Sequence, residues 1–235
     1  MNADFNYHGD VVVFDLDDTL IRERDFCRSG FRWIRRKLIE EFGSDMIGVA
    51  MRMESHLRRR ESHFDLLERI LSHYETDPSV VKRRMTELVA GYRSHRPDHL
   101  PWANGAQATL EELSRRGTVM AIVTDGRSIT QHVKIEALGL DRYIPYANIY
   151  ISEERGADKS SPDSFRAIVR SYPEARRFIY VGDNPEKDFA IPNLLGWHTF
   201  RVAWHPDNVH PYGTPGSEID APSAEIATLT ELLTL

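Results

Sequence analysis

The stretch Val11-Val12-Val13-Phe14-Asp15-Leu16-Asp17-Asp18-Thr19-Leu20 decides the fold. Four apolar residues in a row, three of them β-branched, read as a short strand buried on both faces, as strands of parallel sheets are. Three carboxylates, Asp15, Asp17 and Asp18, follow at once. Carboxylates at the end of a buried strand are costly unless a cation neutralises them or solvent reaches them. In open α/β sheets the carboxyl ends of the strands face a ligand crevice, which is where such a cluster makes sense. Asp15 and Asp17 are two residues apart, so in an extended segment they share a face. An acidic turn after a strand is the plain alternative, and the clustering favours the functional reading over it.

Outward from this stretch, composition sets bounds. The chain has 235 residues, 41% hydrophobic and 28% charged, which suits a soluble globular protein with one large domain or a domain carrying an inserted smaller one. The first ten residues are polar and show no signal-peptide pattern, and no run approaches the roughly 20 apolar residues of a membrane helix. Cys27 is the single cysteine, which excludes an internal disulfide and a thiolate metal cluster; a cytoplasmic location is expected. The net charge of -6 argues against a nucleic-acid partner. That charge is uneven. Residues 21–100 hold 17 Lys/Arg against 13 Asp/Glu, a balance of +4, while the remainder stands at -10. Two regions of different character follow.

From residue 21 to residue 100 the pattern is helical. Phe31, Ile34, Leu38 and Phe42 recur at helical spacing and stop at Gly43. Met46, Val49, Ala50, Met53 and Leu57 make a second stripe, and Phe64, Leu67, Ile70 and Leu71 a third. Asp77-Pro78, an N-cap before a first-turn proline, opens a fourth helix through Val81, Met85, Leu88 and Tyr92. Trp33 and the methionines belong to the core of this bundle. Arg58-Arg59-Arg60 reads as a solvated helix end, and the histidines (His56, His63, His73, His95, His99) as mostly surface residues without zinc-site spacing.

From Pro101 an α/β rhythm resumes. Asn104 with Gln107 suggests a capping box for a helix carrying Leu110 and Leu113, closed by Gly117. Val119–Val123 is a second buried strand ending in Thr124-Asp125-Gly126; a helix runs through Ile129, Val133 and Leu138 to Gly139. Asn148–Ile151 is a weaker strand, and a helix with Phe165, Ile168 and Val169 inward starts at Ser161-Pro162. Phe178–Val181 leads into Gly182-Asp183, and Trp197–Ala203 is a fifth strand. Pro192 is tolerable if its helix begins near Phe189, because first-turn amides have no intrahelical partner. Residues 205–222 read as loop and 224–235 as a short terminal helix. The whole predicts a doubly wound, mostly parallel, Rossmann-like sheet from residues 1–20 and 101–235, with an all-helical domain, 21–100, inserted.

Asp15-Leu16-Asp17-Asp18-Thr19 after an apolar strand resembles D-x-D-x-T, the first motif of the haloacid dehalogenase (HAD) superfamily in its phosphatase branch. Thr124 corresponds to the second motif and Lys159 to the third. Gly182-Asp183-Asn184-Pro185-Glu186-Lys187-Asp188 corresponds to the fourth, G-D-x-x-x-x-D. Around Lys159 the sequence departs from K-P-x-P-x-x-F, since Ser160 replaces the first proline. All four motifs occur in order, and the resemblance spans residues 10 to about 203, with the helical insertion in the place of a C1-type cap.

The resemblance implies a Mg²⁺-dependent phosphomonoesterase acting on a small phosphorylated metabolite, a sugar phosphate or a nucleoside monophosphate. Asp15 would be the nucleophile that becomes an aspartyl phosphate, and Asp17 the general acid and then base. Thr19 would hydrogen-bond within the loop and fix Asp17. Thr124, the backbone of Asp125-Gly126 and Lys159 would bind the phosphate, with Lys187, inside the fourth motif, as the nearest rival to Lys159. Mg²⁺ would be held by Asp15, Asp17 (through its carbonyl) and Asp183, all oxygen donors. Asp188 would orient Lys159 or a metal-bound water, or cap a helix. A phosphomutase of the same fold and a non-catalytic phosphate-binding module are the alternatives. Arg22, Arg24, Arg28 and Arg32 follow motif I; Arg28 and Arg32 share a helix face and are candidates for a second anionic or hydroxyl-rich part of the substrate.

Overall fold

The apolar run forms β1 (Asp10–Phe14), with all of its residues buried. The computed structural model of the chain describes residues 9–103, 105–210 and 212–234. The chain divides into two compact units, Met1–Glu23 with Pro101–Leu235 and Arg24–Leu100.

In the first unit β1 is followed by α5 (Ala106–Arg115), β2 (Val119–Thr124), α6 (Ser128–Leu138), β3 (Ile149–Ile151), α7 (Ser152–Arg155), α8 (Asp163–Ser171), β4 (Arg177–Gly182), α9 (Ala190–Leu194), β5 (His198–Val202) and β6 (Ala224–Ile226). The strands form one sheet in the order β3-β2-β1-β4-β5-β6. Every neighbouring pair is parallel. From β1 the chain winds to β2 and β3 on one side, then returns to β4, β5 and β6 on the other, so the switch point lies at β1. Phe14 is level with Ile122 and Val181, which brings Asp15, Thr124 and Asp183 to one rim. The Asp15 amide extends the ladder by donating to the Val181 carbonyl (2.9 Å).

The sheet is packed as its sequence demands. Val11, Val13, Ala121, Val123 and Tyr180 form a core with Phe165, Ile168, Phe189 and Trp197. The α5 helix buries Leu110 and Leu113. The capping box falls on Asn104, outside the described residues; Gly105, at φ +80°, precedes the helix, and the Gln107 amide instead donates to Glu111 (2.9 Å). In α9 Pro192 sits in the first turn, after Phe189. The segment from Ala224, expected to end as a short helix, does end in a 3-10 helix, Leu229–Thr234, which buries Leu229 and Leu232, but it opens with the unexpected strand β6, paired with β5. A three-residue strand is too short to show alternation, which is why its period is unreadable.

The second unit is helical: α1 (Glu23–Phe42, its first residue shared with the sheet unit), α2 (Val49–Arg58), α3 (His63–Tyr74) and α4 (Pro78–Ser94). The four apolar stripes form one core that includes Phe31, Leu38, Met53, Leu67, Val81 and Leu88. The Asp77 side chain accepts the Ser79 amide at 2.8 Å with Pro78 at the first helical position. Gly91 is the point of closest packing, since a Cβ there would lie 1.9 Å from the Trp33 ring. Arg58, Arg59 and Arg60 are exposed. His95, read as a surface residue, is instead buried, its Nδ1 2.6 Å from the Tyr92 carbonyl oxygen and its ring against Phe26. No helix among the described residues is long and apolar enough to cross a membrane.

Candidate active site

The rim at the switch point carries a polar cleft of about 110 Å³ lined by Asp15, Asp17, Thr124, Lys159, Asp183 and Asp188, with Glu23, Lys187 and His210 also on its wall. The turn after β1 is closed by the Leu20 and Ile21 amides, both donating to the Leu16 carbonyl (2.9 and 3.2 Å). Asp18 stands at φ +54° inside that turn. Its carboxylate does not line the cleft. It accepts the Glu23 amide (3.1 Å) and the Val209 amide (2.9 Å), tying the segment after β5 to the motif I loop.

Asp15 and Lys159 are both buried, with Nζ 2.6 Å from Asp15 Oδ1. The same ammonium donates to Asp188 Oδ1 at 2.7 Å. Asp188 then serves two sides at once. Its Oδ2 accepts the Asp183 and Asn184 amides (3.0 and 2.8 Å), and the Tyr180 hydroxyl donates to Oδ1 (3.3 Å). Asp188 is therefore no helix cap, since α9 begins only at Ala190; it is the clamp that shapes the β4 loop and aims Lys159. The Lys159 amide donates to Asp125 Oδ1 (3.1 Å), joining the loops after β2 and before α8. Lys187 is exposed and does not take this place.

Carboxylate oxygens of Asp15, Asp183 and Asp188 lie within 4.8 Å of one another, which makes a group suited to a metal ion. One buried ammonium faces three buried carboxylates, and the electrostatics show the imbalance. Burial, then repulsion from Asp188, lifts Asp15 to about 7 even against Lys159. Burial, then Asp188 and Asp15, holds Asp183 well above the usual carboxylate range. Burial works against the Lys159 ammonium, but Asp15 and Asp188 overcome it and hold its pKa well above the ordinary lysine value. A divalent cation bound to oxygen donors fits this excess of negative charge. Asp188, with four donors already on its two oxygens, is the least available of the three as a ligand.

Asp17 is held by residues that motif reading missed. Lys134 Nζ donates to both of its carboxylate oxygens at 2.7 Å. Gln131 Nε2 donates to Asp17 Oδ2 (3.0 Å), Thr124 Oγ1 (2.7 Å) and the Asp125 carbonyl (3.1 Å). Both lie on the inner face of α6, where Ile129, part of the expected apolar stripe, is exposed. A polar residue at an inward position of a core helix must find partners, and that is the signal by which they were readable. Thr19, expected to fix Asp17, is buried, but its hydroxyl has no hydrogen-bond partner among the described residues. The Gly126 amide, expected at the phosphate, donates instead to Ser152 Oγ (2.9 Å). Its φ of +149° and a would-be Cβ 3.0 Å from the Gln131 amide carbon show what the glycine is for: it admits Gln131.

Two more residues bear on these carboxylates. Asn208 Nδ2 donates to Asp183 Oδ2 (3.2 Å), and its carbonyl oxygen accepts from Arg22 (3.4 Å). The segment around Asn208 reads in sequence only as loop. Glu23 is raised to about 8, by burial first and the Asp17 charge second. Of the other arginines, Arg28 is spent in ion pairs with Glu54 (2.7 Å) and Asp25 (2.9 Å). Arg24 is buried and Arg32 exposed.

Comparison with known proteins agrees with this geometry. A family model, haloacid dehalogenase-like hydrolase, matches residues 10–191. The chain is 28% identical to the glyceraldehyde 3-phosphate phosphatase of Methanopyrus kandleri, over 95% of each chain. It is also 28% identical to the phosphoserine phosphatase of Thermus thermophilus, over 83% of this chain and 87% of that one. In fold it resembles the HAD-hydrolase YfnB of Bacillus subtilis, with a TM-score of 0.60 and 19% identity over 95% and 96% of the two chains. With the family model covering most of its length, the chain belongs to the haloacid dehalogenase-like hydrolases, in their phosphatase branch.

Proposed function

We propose that the protein hydrolyses small phosphomonoesters through an aspartyl-phosphate intermediate. The observation that carries this reading is the buried Asp15–Lys159 contact of 2.6 Å at the switch point of the sheet. A phosphoryl group seated there meets a nucleophilic oxygen on Asp15, the Lys159 ammonium and the Thr124 hydroxyl. An oxygen of Asp15 attacks phosphorus as the bond to the leaving oxygen breaks, and Asp17 supplies the proton that the departing alkoxide takes. Asp17 then accepts a proton from water as the water oxygen bonds to phosphorus and the Asp15–phosphorus bond breaks. Lys159 and Thr124 compensate charge on the equatorial oxygens in both steps.

Mg²⁺ would be held by the Asp15 and Asp183 carboxylates and the Asp17 carbonyl. When bound it supplies positive charge to the phosphoryl oxygens and keeps Asp15 ionised near neutral pH. The donor set, oxygen throughout, and the excess of buried carboxylates support it. The substrate class is supported by the relatives, whose names concern a triose phosphate and a phosphorylated amino acid. The helical unit, Arg24–Leu100, would act as a cap that encloses such a substrate.

The test is phosphate release over a panel with glyceraldehyde 3-phosphate, phosphoserine, pentose phosphates and nucleoside monophosphates, with Mg²⁺ present. At least one should be hydrolysed, and Asp15→Asn should lower its turnover by about 10³-fold or more while leaving the fold intact. A fully active Asp15→Asn protein would end the proposal.

A further inference from the structure

The four motifs leave unexplained why an ammonium and a carboxamide are buried on α6. Lys134 is 3% exposed and Gln131 1% exposed, in a helix whose inward positions otherwise carry Val133, Ile135 and Leu138. Burying an ammonium is costly unless a charge meets it. Here the charge is Asp17, gripped by both oxygens at 2.7 Å. Such a two-point contact fixes the rotation of the carboxylate as well as its place.

Gln131 adds a second constraint. Its Nε2 faces the Asp125 carbonyl, which only accepts, and Asp17 Oδ2, so the amide nitrogen belongs on that side. Its third contact is with Thr124 Oγ1 at 2.7 Å. With a lone pair of Thr124 taken by Gln131, the hydroxyl proton is left to point elsewhere, and a phosphoryl oxygen in the cleft can receive it. One carboxamide thereby ties Asp17 to the phosphate-binding hydroxyl. The absence of a side chain at Gly126 makes the room.

We propose that Lys134 and Gln131 are positioning residues of the hydrolysis, a buried clamp that presents the Asp17 carboxylate to the leaving oxygen and the Thr124 hydroxyl to the phosphoryl group. The proposal rests on the reading of Asp17 as the acid. It separates the work of two lysines: Lys159 serves the nucleophile, Lys134 the proton carrier.

The experiment compares an alkyl ester with an aryl ester. Glyceraldehyde 3-phosphate or phosphoserine, whichever the wild-type enzyme hydrolyses faster, has a leaving alkoxide that requires a proton; p-nitrophenolate leaves without one. Lys134→Met keeps the stem and removes the charge. It should lower kcat/KM on the alkyl ester by about 10²-fold or more and on the aryl ester by about tenfold or less. Asp17→Asn should show the same split, and Lys134→Arg should recover part of the loss. Gln131→Leu should show the split on top of a drop shared by both esters, from the unpinned Thr124 hydroxyl. If Lys134→Met does not fold, Lys134→Arg and Gln131→Leu carry the comparison. Equal losses on both esters in the Lys134 and Gln131 variants, while Asp17→Asn splits them, would show a merely structural role and overturn the proposal. An Asp17→Asn enzyme that treats both esters alike would remove the acid from Asp17, and this proposal with it.

Discussion

Asp188→Ala tests the architecture of the site most directly. The side chain is 1% exposed and accepts from two backbone amides, the Lys159 ammonium and the Tyr180 hydroxyl. Its removal leaves the Asp183 and Asn184 amides without their acceptor, at about 1–3 kcal/mol for each buried donor left unmade. It also breaks a buried ion pair, for which the range is about 3–5 kcal/mol. These costs do not add. Lys159 keeps Asp15, water can enter the space of the lost carboxylate, and one of three mutually repelling charges disappears. A net loss of about 3 kcal/mol is expected. Asp188→Asn should fall between, because one amide oxygen can still serve the backbone while its NH₂ then opposes the Lys159 donor. The loss is read from urea unfolding in chelator, followed by tryptophan fluorescence; Trp102, Trp197 and Trp204 all lie in the sheet-bearing unit. Turnover should fall about 10²-fold alongside, since Lys159 is no longer aimed. A change under about 1 kcal/mol in Asp188→Ala, or an Asp188→Asn protein as stable as wild type, would refute the account of Asp188 as the clamp of the β4 loop.

The remaining predictions concern pH. Asp15 is raised to about 7 from 3.8, so between those values the folded protein holds a proton that the unfolded chain has released, and stability falls as pH rises. That is up to about 4 kcal/mol at neutral pH, which a bound divalent cation would offset. The gain in thermal midpoint from adding Mg²⁺ to chelator-treated protein should therefore grow from pH 5 to pH 8, and a flat gain would exclude these carboxylates as its source. In the helical unit the sign is opposite. Burial, and then the charges of Arg32 and Arg36, lowers the pKa of His95, so the stability it contributes is complete above the ordinary histidine value and is lost as pH falls through it. Protection of α4 amides against hydrogen exchange, taken relative to the unfolded-chain rate at each pH, should fall below about pH 6, and unchanged protection down to pH 5 would count against a neutral His95.

The parts of this fold that are legible in the sequence are those where one local rule suffices. An apolar run followed by carboxylates locates the β1 and β4 ends, because a strand buried on both faces admits few other residues. The helices of the second unit follow from stripes that hold their period over three turns. Legibility fails where partners are distant. Lys134 and Gln131 break the apolar period of α6, and only the three-dimensional position of Asp17, more than a hundred residues earlier, explains the break. Asn208 lies in a segment with no periodicity, yet it meets Asp183 and Arg22. His95 looks like a polar residue at a helix end, and its burial depends on the Phe26 ring from another helix. Thr19 fails differently. The motif places it correctly, but the turn is closed by backbone hydrogen bonds to Leu16, and its hydroxyl has nothing to fix.

The two carboxylates at the end of β1 are held in two different ways. Side by side on a chain, Asp15 and Asp17 would repel and share whatever cation came near. The fold separates them by giving each its own lysine from a different element: Lys159 from the loop before α8 for Asp15, Lys134 from α6 for Asp17. The pairing is unequal. Lys134 grips Asp17 and also draws on Glu23, whereas Lys159 is shared between Asp15 and Asp188 while Asp183 stands beside them. The excess of negative charge is therefore greatest between Asp15 and Asp183. On the proposed reading, a cation drawn to that excess would lie beside Asp15 and leave Asp17 to the departing oxygen. The different settings of Asp15 and Asp17 are thus fixed by where the two buried lysines sit.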